Sequence, residues 1–145
     1  MEAAARSGLF DALGHLDVVK RYLHPHVTKE DFARAPELYE PILRALVDSG
    51  TALEINTSGL RHRVGETYPS AAVVVRFREL GGRAVSVGSD AHRSDHFGWG
   101  LAEGYREAAA GGFEALTFRR GGERVSVAIP NGIRPGPNGQ DGRSL

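Results

Sequence analysis

The stretch Ala84-Val85-Ser86-Val87-Gly88-Ser89-Asp90-Ala91-His92-Arg93-Ser94-Asp95-His96 decides the fold. Its short β-branched run predicts a buried strand, and the Gly88-Ser89 turn that ends it sets Asp90 and His92 just past the carboxyl end. In an α/β fold that rim is where ligands and catalytic groups collect. A carboxylate and an imidazole two residues apart are also what a metal ion takes as ligands. The function therefore turns on what else reaches the same rim.

Composition narrows the field. At 145 residues the chain has the length of one ordinary domain and can bury a core. Eighteen basic and eighteen acidic residues give a formal net charge of zero, so nothing electrostatic selects nucleic acid as a partner. The absence of cysteine excludes disulfides, thiolate metal sites and cysteine nucleophiles, and leaves His, Asp and Glu as the metal ligands. The first residues lack the apolar core of a secretion signal, and no window approaches the ~18 apolar residues of a membrane span. The expectation is a soluble, cytoplasmic unit with no membrane partner.

Along the chain, residues 2–7 predict a helix stopped by Gly8, and residues 10–16 a short strand ending in Gly14-His15-Leu16-Asp17. Thr28 with Asp31 marks a helix start, and residues 31–48 place Phe32, Leu38, Ile42, Leu43, Leu46 and Val47 on one face, with Pro36 and Pro41 shortening or kinking the helix. Residues 51–56 predict a second strand and 57–68 a polar loop. Pro69 and Ser70 then open a helix over 71–80, followed by the strand quoted above. A weaker helix over 98–110 and two strands around Gly121-Gly122 complete the series. Residues 131–145 are rich in Gly, Pro, Asn and Arg and predict a disordered tail. Strand alternating with helix predicts a parallel α/β architecture.

Three strand ends carry polar groups: His15 with Asp17, Glu54 with Asn56, and Asp90 with His92. If the strands are parallel neighbours these ends share one rim, and an O/N ligand set suits zinc, manganese or iron. Taken one at a time, each group also serves turns and helix caps. His24-Pro25-His26 could chelate but sits in a loop-forming context, and His62 and His96 are loop residues. Arg21 and Arg61 follow strand ends closely enough to hold a phosphate bidentately, or to be plain solvated surface. The glycine pairs match no P-loop or dinucleotide fingerprint.

Residues 10–22 (Phe-Asp-Ala-Leu-Gly-His-Leu-Asp-Val-Val-Lys-Arg-Tyr), 52–61 (Ala-Leu-Glu-Ile-Asn-Thr-Ser-Gly-Leu-Arg), 68–70 (Tyr-Pro-Ser) and 88–92 (Gly-Ser-Asp-Ala-His) resemble the later motifs of the PHP-type histidinol-phosphatases, in the family's order. The resemblance implies the carboxyl-terminal portion of a distorted (β/α)7 TIM-like barrel, spanning residues 1–130. It also implies a trinuclear metal centre at the strand ends, with His15 a ligand of one metal, Asp90 of a second and His92 of the third. Arg21 and Arg61 would lie near the substrate phosphate, and Asp17 and Glu54 would support the site from behind the ligands. The reaction implied is hydrolysis of L-histidinol phosphate, a small phosphate ester, to L-histidinol and phosphate in histidine biosynthesis.

The family's amino-terminal motifs, a His-X-His pair among them, have no counterpart here, and His24-Pro25-His26 lies too late to be that pair. The expectation is one part of a longer enzyme, from a truncated reading frame or a split one. Open strand edges would then invite self-association or capture of a missing amino-terminal half. The alternatives are an inactive fragment, a noncatalytic metal-binding or interaction module, and another PHP-type phosphoesterase.

Overall fold

The structure is a computed structural model that describes residues 1–133. Helix α1 (Glu2–Ser7) ends at Gly8, whose φ of 64° is the left-handed conformation a helix stop needs. Strand β1 (Ala12–Leu13) follows, then the short helices α2 (Val19–Leu23) and α3 (Lys29–Ala33), a 3-10 turn (Pro36–Leu38) and helix α4 (Glu40–Ser49). Strand β2 (Ala52–Asn56) runs directly into a 3-10 turn (Thr57–Arg61). Helix α5 (Ala71–Glu79), strand β3 (Val85–Gly88), a 3-10 turn (Ser94–His96) and helix α6 (Leu101–Ala110) come next. Strands β4 (Ala115–Arg120) and β5 (Glu123–Ala128) and a last 3-10 turn (Asn131–Ile133) complete the described chain. The disordered tail predicted from residue 131 is overturned for its first three residues, which form that 3-10 turn; the rest of it, from residue 134 onward, lies outside the described residues.

Strands β1, β2 and β3 form one sheet in sequential order, both pairs parallel, with Leu13 beside Leu53 and Leu53 beside Val85. The fold is thus mixed α/β, as predicted, and no barrel closes among the described residues. Strands β4 and β5 pair with each other, antiparallel, across Gly121-Gly122, whose φ values of 57° and 88° are what a tight hairpin turn of this hand requires.

Two predicted elements change. The strand expected over 10–16 shrinks to Ala12–Leu13, because His15 turns left-handed (φ 38°) and carries the chain out of the ladder. The helix expected over 31–48 is three pieces. Thr28 and Asp31 cap α3 reciprocally, Pro36 starts a 3-10 turn, and Pro41 sits in the first turn of α4, where its missing N–H breaks nothing. The helix α2 answers to no predicted element; it is five residues long and lacks an apolar period.

Alternation along the strands sorts their side chains onto two faces. Leu13, Leu53, Ile55 and Val85 join the core with Leu43 and Leu46 of α4, and with Val73, Val74 and Phe77 of α5. Helix α6 lies close against β3 because Gly104 has no side chain: a Cβ there would stand 2.5 Å from Val87 Cγ1. The opposite face carries Ala12, Ala52, Glu54 and Ser86, small residues around one carboxylate. The hairpin closes its amino end, where Arg119 Nε donates to Asp11 Oδ2 (2.7 Å) and Arg124 to the carbonyls of Asp11 and Gly50 (both 2.9 Å).

Candidate functional site

The parallel order puts Gly14-His15, Asn56 and Gly88-Ser89-Asp90 on one rim, as the sequence predicted. Glu54 stands at its centre. A Cβ on Gly14 or Gly88 would come within 2.9 or 2.6 Å of its carboxylate, so the glycine just past β1 and the one that ends β3 leave the room it occupies. Its Oε2 accepts from the His15 backbone N–H (3.2 Å) and from Asn56 Nδ2 (3.4 Å). Glu54 therefore fixes the backbone at His15.

His15 and Asp90 (φ 48°) are the non-glycine residues with left-handed backbone among the described residues. Such backbone costs of order 1–3 kcal/mol and persists where the surroundings enforce it, commonly at functional sites. Asp90 has its own brace. Arg61 Nη2 donates to the carbonyls of Ser89 (2.9 Å) and Asp90 (3.3 Å), and its guanidinium lies over the Trp99 ring, 5.4 Å from the centroid. Arg61 Nη1 is buried with no protein partner among the described residues.

Asp90 Oδ1 and His92 Nε2 meet at 3.2 Å, the histidine side chain being 85% exposed. Arg21 is exposed beside its neighbour Tyr22. Burial, followed by the positive charges of Arg21 and Arg61, lowers the pKa of His62, and Asp90 opposes this; the two arginines thus share a neighbourhood with His62 and Asp90. His24, Pro25 and His26 remain an exposed loop.

Beneath the rim lies a buried charge network. Lys20 Nζ is 2.6 Å from Asp17 Oδ2 and also pairs with Glu66, with Lys20 1% and Asp17 0% exposed. The ammonium also lies over the rings of Phe32 and Tyr68, at 5.9 and 5.8 Å from their centroids. Asp17 Oδ2 accepts from the Ser70 N–H (3.2 Å) while Oδ1 has no partner among the described residues, and burial raises its pKa against the pull of Lys20. Asp17 is therefore a tie between the loop after β1 and the loop before α5, behind the rim. Lys20 had no functional signal beyond its spacing from Asp17.

Among the described residues no group of three His, Asp or Glu side chains converges to hold a metal ion. His15, Asp90 and His92 share the rim, but only the last two meet. They do not by themselves fit a metal centre.

No family model matches the chain. It is 44% identical over 107 residues to a probable histidinol-phosphatase of Thermotoga maritima, a match covering 74% of this chain and 43% of that protein. A probable histidinol-phosphatase of Deinococcus radiodurans is 38% identical over 119 residues, covering 82% of this chain and 43% of its own length. The histidinol-phosphatase of Saccharomyces cerevisiae is 42% identical over 60 residues, 39% of this chain and 18% of the yeast protein.

Proposed function

The chain is homologous to part of the histidinol-phosphatases, spanning less than half the length of the two bacterial relatives, and we propose that it carries the phosphate-binding side of such a phosphomonoesterase. The observation that carries this reading is Arg61. It is stacked on Trp99 with one nitrogen committed to the Ser89 and Asp90 carbonyls, and its other terminal nitrogen is buried without an acceptor among the described residues. A buried N–H donor left unpaired is costly, and a phosphoryl oxygen would satisfy it. Arg21 supplies a second cation nearby. The substrate is L-histidinol phosphate, in the cytoplasm: water adds to phosphorus, the ester P–O bond breaks, and the leaving alkoxide takes a proton to give L-histidinol. In this chain Arg61 and Arg21 bind and orient the phosphoryl group, Glu54 holds His15 in place, and Asp17 ties the rim to α5 through Ser70.

We further propose that the complete site takes divalent metal, zinc, manganese or iron, with His15, Asp90 and His92 as part of a ligand set completed from outside residues 1–133. Partner capture or self-association at the open edge of β1 would supply the remainder of a barrel. A noncatalytic reading is favoured by one observation, that two candidate ligands meet where a centre needs at least three.

The test is phosphate release from L-histidinol phosphate with added manganese or zinc. It uses the chain alone, then mixed with a polypeptide covering the portion of the Thermotoga maritima relative that this chain does not match. Turnover in the mixture supports the enzymatic reading. No turnover in either setting, with the chain folded, would establish the noncatalytic one.

A further inference from the structure

Resting on the reading of Arg21 and Arg61 as phosphate-binding, we infer that His62 is a third donor to the same anion, a neutral imidazole that offers its Nε2–H. Nothing in the motifs marks His62, which follows Arg61 in the chain. The structure singles it out through Tyr68.

Tyr68 is completely buried, and its hydroxyl lies 3.4 Å from His62 Nδ1. Burial pushes the phenol up to about 12, so it keeps its proton at any physiological pH and can act as the donor. The hydroxyl has no other hydrogen-bond partner among the described residues, so donating to Nδ1 is what satisfies its buried proton, and that nitrogen is then the acceptor. In a neutral imidazole the proton then sits on Nε2. The tautomer is thus selected by a buried group behind the ring, and the free N–H is left on the other side of it.

Every charge near the ring bears on its state. Arg21 comes from α2, Arg61 from the turn after β2, and Asp90 and His96 from the segment after β3. Burial and the two arginines favour the neutral ring, as does His96, and Asp90 alone favours the cation. An anion held between Arg21 and Arg61 would lie beside the imidazole that both of them act on. A neutral N–H there adds directional recognition without adding a third full charge to be desolvated.

The experiment uses the intact chain with 15N-labelled histidine and arginine and inorganic phosphate as the probe, with chloride at matched ionic strength as control. Long-range 1H–15N spectra of the phosphate-free protein are expected to show His62 as the Nε2–H tautomer. Phosphate is expected to shift His62 Nε2 together with the side-chain resonances of Arg21 and Arg61. His62→Gln, whose amide N–H can replace the donor, should bind phosphate within about threefold of the parent, and His62→Leu about tenfold more weakly. An Nδ1–H tautomer overturns the inference. So do arginine shifts without a His62 shift, which leave the phosphate-binding reading standing. Shifts at none of the three overturn that reading itself.

Discussion

Replacing Glu107 by glutamine should make the protein more stable at pH 8 and flatten its response to pH. Thr67 is fully buried, and its Oγ1 lies 2.7 Å from the Pro69 carbonyl and 2.5 Å from Glu107 Oε2. A hydroxyl has one proton to give. If it goes to the Pro69 carbonyl, the short contact with Glu107 requires the carboxyl to be the donor, hence protonated. The electrostatics agree: burial, then the negative charges of Glu103 and Glu66, raise Glu107 from the ordinary 4.5 to about 7, against the Thr67 hydrogen bond and Lys20.

A carboxyl raised on folding binds more protons in the native state than in the unfolded one. Its penalty is absent below pH 4.5, grows as pH rises, and is complete above about pH 7. The full displacement corresponds to a ceiling of about 3 kcal/mol. Because Glu107 is only partly buried, screening by solvent reduces this to about 1–2 kcal/mol. In urea denaturation, the parent should lose that much more stability than Glu107→Gln between pH 5 and pH 8. Asp17, raised, and His62, lowered, titrate in both proteins and cancel in the comparison. Parallel pH profiles, or a variant less stable than the parent at pH 8, would refute the protonated carboxyl.

Lys20→Met should cost about 3–5 kcal/mol, since it leaves the buried carboxylate of Asp17 and the partly buried one of Glu66 without their shared cation. Adding Asp17→Asn should recover a large part of that in urea denaturation, and no recovery would show that the loss is one of packing. Gly104→Ala sets a helix-propensity gain of about 1 kcal/mol against overpacking of about 1–3 kcal/mol, because the new Cβ would stand 2.5 Å from Val87 Cγ1 and 3.0 Å from Thr57 Cγ2. The clash should prevail and lower the melting temperature; an unchanged or higher value would mean that α6 can withdraw from β3 freely.

The sequence made the scaffold legible where one segment carries its own signal. The β-branched run of β3, the apolar face of α4, the left-handed stop at Gly8 and the glycine pair of the β4–β5 hairpin are all local patterns. The shared rim was legible as well, because strand alternating with helix implies parallel neighbours. What could not be read are couplings across the chain. Lys20 looks like an exposed base until Glu66, 46 residues away, and the rings of Phe32 and Tyr68 enclose it. The brevity of β1 is likewise set from outside, by a carboxylate 39 residues on that holds the His15 N–H and turns the chain away from its ladder.

That last contact bears on whether the rim is a site or a set of turns. A turn needing left-handed backbone takes glycine without penalty, whereas histidine and aspartate adopt it more readily than most side chains but still at a cost. Here the positions are held by histidine and aspartate, and each is braced by a charged side chain from β2 or the turn that follows it: Glu54 on the His15 N–H, Arg61 on the Asp90 carbonyl. If the chain needed only to reverse direction, a glycine at 15 or 90 would do so without a brace. Keeping an imidazole and a carboxylate there, at an energetic disadvantage that two further residues offset, makes sense when the side chains themselves are required. Glu54 and Arg61 are in that respect equivalent, although one is a carboxylate among glycines and the other a guanidinium on an indole. Each spends its charge on backbone, and the consequence is the placement of one candidate ligand.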